Sequence, residues 1–165
     1  MKTEGWATHE SKALKVSFRF PKETFTLAER GGKIQLTSKL SREELGENTT
    51  AKHVFSLVIE QKTGAPEAVL AKDQPSYAER AFPKGIAGGL APDNESVARA
   101  KLAGLEGYRL SGGVEGYNSE VLFLRRDKNT LIAHADIVGG IMGPETPEET
   151  QRAIIEAILA SIVVK

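Results

Sequence analysis

The chain of 165 residues has no cysteine. That excludes disulfides, thiolate catalysis and cysteine-based zinc or iron–sulfur centres. It leaves the compartment open, because cytosolic and exported domains can both lack the residue. Aromatic side chains are scarce, at 6% of the sequence, so a base-stacking surface for nucleic acid is not expected. Neither sign of charge is in excess: 22 basic residues balance 22 acidic ones. No long-range field therefore draws the chain to nucleic acid or to an anionic membrane. No apolar run is long enough to span a bilayer. The glycine-rich phosphate and dinucleotide loops, the GxSxG elbow and the HExxH zinc motif are all missing.

What is present reads as one domain of ordinary size, with enough apolar residues for a core. Residues 1–12 form a polar lead-in whose Trp6 is expected to pack back on the domain edge. Residues 13–165 are expected to form a single α/β domain. Leu14, Val16, Phe18 and Phe20 alternate with polar residues, which predicts a half-buried strand ended by Pro21. A short strand is expected at Phe25–Leu27. Another runs through Ile34, Leu36, Ser38 and Leu40, and a strongly β-prone one spans His53–Gln61. Four strands with short links argue for an antiparallel meander. Between them, Ser41-Arg42-Glu43-Glu44 has the form of a capping box, which allows one helical turn.

Residues Pro66–Phe82 read as two short helical pieces, the second with Asp73 as N-cap and Pro75 in its first turn. The glycine-rich stretch Pro83–Ser96 is the longest loop. Val97–Gly113 reads as a fifth strand interrupted at Gly104-Leu105-Glu106-Gly107. Near the C-terminus, Thr146, Pro147 and Glu149 form a helix start, and Ile154, Ile155, Ile158, Leu159 and Ile162 form an apolar stripe that must lie on the sheet.

The clearest signal is the hairpin Tyr117–Val138. Val121, Phe123, Leu131, Ala133, Ala135 and Ile137 are all apolar and all odd-numbered. For that set to share one face, the loop must hold an odd number of residues. Asp127-Lys128-Asn129 supplies such a loop, and the expected cross-strand pairs are Phe123 with Ala133 and Val121 with Ala135. The even-numbered face is mixed and is expected to be half covered. Arg125 and Arg126, with Lys128, are expected to form a solvated hairpin tip.

Three histidines are present. His134 and Asp136 share a strand face, and a carboxylate beside an imidazole can orient it as a base or help hold a metal. No third ligand and no nucleophile can be named from sequence, so a polar pair on the less buried face is the plainer expectation. His9 and His53 are expected to face solvent. The loop around Gly85–Gly89 is a candidate cover for the His134/Asp136 pair.

The order of elements carries a resemblance. A strand ends in Phe20-Pro21, a meander and a helical region follow, and a later strand holds the Gly104-Leu105-Glu106-Gly107 step. A long hairpin precedes a last helix ending Ile158-Leu159-Ala160-Ser161-Ile162. Over 14–163 this resembles the PsbP/Mog1 group, which includes many small bacterial lipoproteins. The resemblance implies an α+β fold, a central antiparallel β-sheet flanked by helices in an α/β/α sandwich. It also implies an accessory or protein-binding role rather than an enzyme, as in the photosystem and small-GTPase partners of that group. The group shares no catalytic motif, so no site residue is carried over, and the chain lacks the charge clusters that would point to either partner class.

The expectation is therefore a non-catalytic accessory or protein-binding domain with a protein partner. No cofactor, no nucleic acid and no membrane span are expected. An extracytoplasmic location, as the soluble part of an exported lipoprotein, is favoured over the cytoplasm. The alternative is a metal-binding or hydrolytic module built on His134 and Asp136.

Overall fold

The structure is a computed structural model that describes residues 1–40, 53–140 and 143–165. The capping box expected at residues 41–44 lies outside the described residues. Among the described residues are ten strands and three α-helices: β1 (Ala7–Ser11), β2 (Val16–Phe20), β3 (Phe25–Arg30), β4 (Lys33–Ser38), β5 (Ser56–Thr63), α1 (Pro66–Asp73), α2 (Pro75–Ala81), β6 (Val97–Leu102), β7 (Leu105–Val114), β8 (Tyr117–Arg126), β9 (Asn129–Val138), α3 (Glu148–Ala160) and β10 (Val163–Val164). Seven strands form the main sheet in the order β3-β4-β5-β9-β8-β7-β6, and β1-β2-β10 form a second, smaller one. Every pairing is antiparallel. The fold is α+β, with a central antiparallel sheet and helices on both faces.

Both faces of the main sheet are covered, and this organises everything else. On one face Leu36, Leu57, Leu122, Leu124, Ala133 and Ala135 pack under the small sheet (Val16, Phe18, Phe20) and under α3. The predicted stripe of α3 is buried there as expected, through Ile154, Ile155, Ile158 and Leu159. On the other face Tyr108, Leu110, Val121, Phe123 and Ile132 pack under α1 and α2 through Val69, Leu70, Ala78 and Ala81.

That double cover overturns the expected hairpin register. The turn holds two residues, Asp127 and Lys128, because Arg126 pairs with Asn129; Phe123 lies opposite Ile132 and Val121 opposite His134. Parity fixes a register only where one face is core and the other is wetter. Here odd and even positions are both core, so an all-apolar odd set does not have to share a side. Asp127 adopts the left-handed backbone, φ 54°, that the turn needs.

Several other expectations change. The lead-in 1–12 is not a separate tail, since β1 pairs along β2. Trp6 does pack against the core edge. The early meander is β3-β4-β5 only, because β2 belongs to the small sheet. The stretch 97–113 is two strands, β6 and β7, turned by Ala103 and Gly104, both at positive φ. Helix α2 starts from Gln74 rather than Asp73, with Pro75 at its first position. Helix α3 has Pro147 as N-cap, with no side-chain cap; Thr146 lies outside it.

The basic hairpin tip is not simply solvated. Arg125 Nη2 donates to both carboxylate oxygens of Glu67, at 2.9 and 3.0 Å, and Arg126 donates to the carbonyls of Leu14, Lys15 and Lys165. His9 is half-buried and bonded to Glu29 at 2.7 Å. His53 is exposed, as expected.

Candidate functional site

Residues i and i+2 of a strand share a face, so β9 places His134 and Asp136 side by side, on the α1/α2 face of the sheet. His134 Nε2 lies 3.0 Å from Asp136 Oδ1. The register adds a third residue that sequence reading did not name. Ser119 of β8 is directly opposite Asp136, and its hydroxyl donates to the same Oδ1 at 2.7 Å. The Tyr117 phenol and this carboxylate also influence each other's protonation.

Asp136 is therefore the centre of the cluster, with His134 and Ser119 both on its Oδ1. The hydrogen bond from His134 is the largest influence and lowers the Asp136 carboxyl below its ordinary range; burial opposes it, and Ser119 and Tyr117 reinforce it. Tyr117 responds in the other sense: burial, then the negative Asp136, raise its phenol above the ordinary value.

The arrangement differs from that of a catalytic triad. A serine–histidine–aspartate triad places the carboxylate on one ring nitrogen and the serine on the other. Here both approach Nε2, the serine at 3.4 Å, while its hydroxyl donates to the carboxylate. Among the described residues no group of three His, Cys, Asp or Glu side chains is placed to hold an ion.

The cluster sits in a groove. Pro75 cannot continue α1, and the chain breaks at Gln74 between the two helices. Beneath that break two adjoining clefts, of about 290 and 280 Å³, share Gln74, Val121 and His134 as walls. Leu110 and Val121 give the first an apolar floor, while Tyr77 and Tyr117 stand at its sides. The Lys62–Asp73 ion pair, 2.6 Å, borders the second. Tyr77 leans over β7 because residue 112 is glycine; a Cβ there would come within 2.6 Å of the tyrosine hydroxyl. Its ring also carries the Arg80 guanidinium, 4.9 Å from the centroid. The groove opens toward the β7–β8 turn, where Val114 is 74% and Tyr117 39% exposed.

The Gly85–Gly89 loop, expected to cover His134 and Asp136, lines neither cleft. It forms a short 3-10 turn at Ile86–Gly88. Tyr77 and Tyr117 carried no sequence signal as a pair, since helix packing and register bring them together.

No protein-family model matches the chain, and no curated protein matches it in sequence. Among solved structures it is similar to a protein from Bacteroides thetaiotaomicron VPI-5482, whose crystal structure is known at 1.50 Å resolution. The TM-score is 0.48 at 13% identity, over 96% of this chain and 48% of that one, so this chain spans about half that protein's length. Among the described residues no helix is long and apolar enough to cross a membrane.

Proposed function

We propose that this domain is a non-catalytic accessory module that binds a protein partner through the groove beneath the α1–α2 break. The observation that carries this is the composition of the groove. Two tyrosines and a histidine rim an apolar floor, and the apolar surface continues outward to exposed Val114. Large amphipathic side chains around a small apolar floor are the residue types that protein interfaces favour. The cluster at its base supports the same reading, because Asp136 is already engaged by His134 and Ser119 and is held in its charged form.

The test is site-specific photo-crosslinking from position 114 in the native cell, with exposed Lys39 as control position. A partner captured from 114 alone is then purified. Tyr117→Ser and His134→Ala are expected to weaken its binding by about tenfold or more each, as central interface residues do. Equal affinity for wild type and both variants overturns the proposal.

The second reading, a metal-binding or hydrolytic module on His134 and Asp136, gains one observation, the approach of Ser119. Covalent labelling of Ser119 by a fluorophosphonate, or ester hydrolysis lost in Ser119→Ala, would establish it in place of the first. The PsbP/Mog1 likeness and an extracytoplasmic, lipid-anchored origin belong to the same proposal. Their support is the element order, a meander followed by helices, hairpins and a C-terminal helix on the sheet. Metabolic labelling of the full gene product with radioactive palmitate tests it, and unlabelled protein found only in the cytoplasm refutes it.

A further inference from the structure

Among the described residues, strand β6 is an edge of the main sheet, hydrogen-bonded to β7 alone. In an antiparallel ladder alternate residues bond to the neighbour, and those between point their N–H and C=O outward. The Ser111 N–H bonds to the Ser96 carbonyl, and Ser96 opposes Ser111 in the register that continues as Ala98 with Arg109. The outward groups of β6 therefore belong to Val97, Arg99 and Lys101.

At Val97 those groups are taken. The Asn94 side chain accepts the Val97 N–H at 3.1 Å and donates its own amide to the Val97 carbonyl. One amide side chain thus imitates a strand residue and closes that end of the edge. At Arg99 and Lys101 no comparable cap is present among the described residues.

The side chains at the open positions point over a cleft of about 460 Å³, lined also by Glu67, Glu106, Tyr108 and Arg125. Three cations meet two carboxylates there. Arg125 is held by Glu67 and Lys101 by Glu106, at 2.9 and 2.8 Å. Arg99 makes no hydrogen bond or ion pair among the described residues, and its charge acts on Glu106 only from a distance. The cleft is thus one carboxylate short of neutral, on the Arg99 side.

We propose that β6 accepts an added strand, an extended acidic segment of a partner polypeptide. It pairs with the backbone of Arg99 and Lys101 and lays a carboxylate against the Arg99 guanidinium. Strand addition takes affinity from main-chain hydrogen bonds and specificity from alternate side chains. A second copy of this chain is the wrong occupant, because antiparallel pairing of two β6 edges would set Arg99 and Lys101 against their own kind. The inference rests on the reading of the chain as a protein-binding domain, but it uses a surface separate from the His134 groove.

The experiment titrates the ¹⁵N-labelled protein, at low salt, with the peptide acetyl-Thr-Glu-Thr-Glu-Thr-amide. Glutarate and the peptide with Lys in place of Glu serve as comparisons. The expected result is saturable shifts and slowed hydrogen exchange at the amides of Arg99 and Lys101, but not at already bonded Ala98 and Ala100. Arg99→Glu should weaken binding by about tenfold or more. No saturable change at these amides up to about 1 mM peptide overturns the proposal. So does equal binding of the lysine peptide. Equal shifts with glutarate and no slowing of exchange reduce the site to a small-anion cleft and refute strand addition. Self-association through β6, seen as concentration-dependent sedimentation abolished by Arg99→Glu, refutes the choice of occupant. Crosslinking from position 114 stays independent of every one of these outcomes, so failure at β6 is distinct from failure of the groove.

Discussion

Gln151 offers the sharpest test of how the sheet end is held. It is fully buried on α3. Its Oε1 accepts the Val138 N–H at 3.0 Å, and its Nε2 donates to the carbonyls of Val138 and Thr146 at 2.7 and 2.8 Å. The substitution Gln151→Met keeps length and volume and removes all three bonds. Val138 is itself only 2% exposed, so water cannot easily replace the partner of either of its backbone groups. Thr146 is half-exposed and can turn to solvent. Two buried orphan groups at about 1–3 kcal/mol each, less the gain from burying a thioether, give an expected loss of about 2–4 kcal/mol. Against a typical total of about 5–15 kcal/mol this is large. Urea unfolding followed by circular dichroism reads it as a lower midpoint at unchanged slope. A second variant, Gln151→Glu, fixes the sign. Its carboxylate can accept from Val138 but turns its other oxygen on two carbonyls, so the folded state favours the protonated form and raises its pKa. This variant should be least stable at neutral pH and should recover toward wild type as pH falls through that raised value. A Gln151→Met protein within about 1 kcal/mol of wild type would refute the reasoning, since orphaned buried groups must cost more than that.

The remaining predictions concern the turn of β6–β7 and the acid limb. Ala103 has φ 52° beside Gly104 at 77°, a turn geometry that favours Asn-Gly; Ala103→Asn should stabilise by about 0.5–1 kcal/mol in the same urea assay, and destabilisation would contradict the turn assignment. The pKa of Asp136 is lowered on folding, so its contribution is present at neutral pH and is lost as pH falls below the ordinary 3.8 toward the folded value. The stability gap between wild type and Asp136→Asn should therefore narrow on acidification in that window, and a constant gap would show that the charge is not what the cluster stabilises.

Much of this was readable in the sequence, and the failures share a cause. Alternation in β2 and the isoleucine stripe of α3 gave strand and helix correctly, because each has one dry side. In β8 and β9 both sides are dry, so the pattern located the hairpin without fixing its register. The consequence reached the candidate site. With Phe123 opposite Ala133, Ser119 would have fallen opposite Ile137 rather than Asp136. His134 and Asp136 were found because they share one strand, where spacing alone decides. Ser119 needed the correct register, and Tyr77 needed the packing of α2 over Gly112. Strand β1 was missed for a different reason: in Ala7–Ser11 only Ser11 is buried, so its apolar signal is nearly absent.

The two dry faces of the β8–β9 hairpin also bear on how its register is set. Shifted by one residue, the isolated pair would still turn apolar side chains to both sides, so burial hardly discriminates between the alignments. Discrimination comes from Asp127 in its left-handed turn and from the flanking strands: Leu57 beside Ala135, and Leu110 beside Val121. The register of the central hairpin is thus held by its turn and its two neighbours rather than by burial.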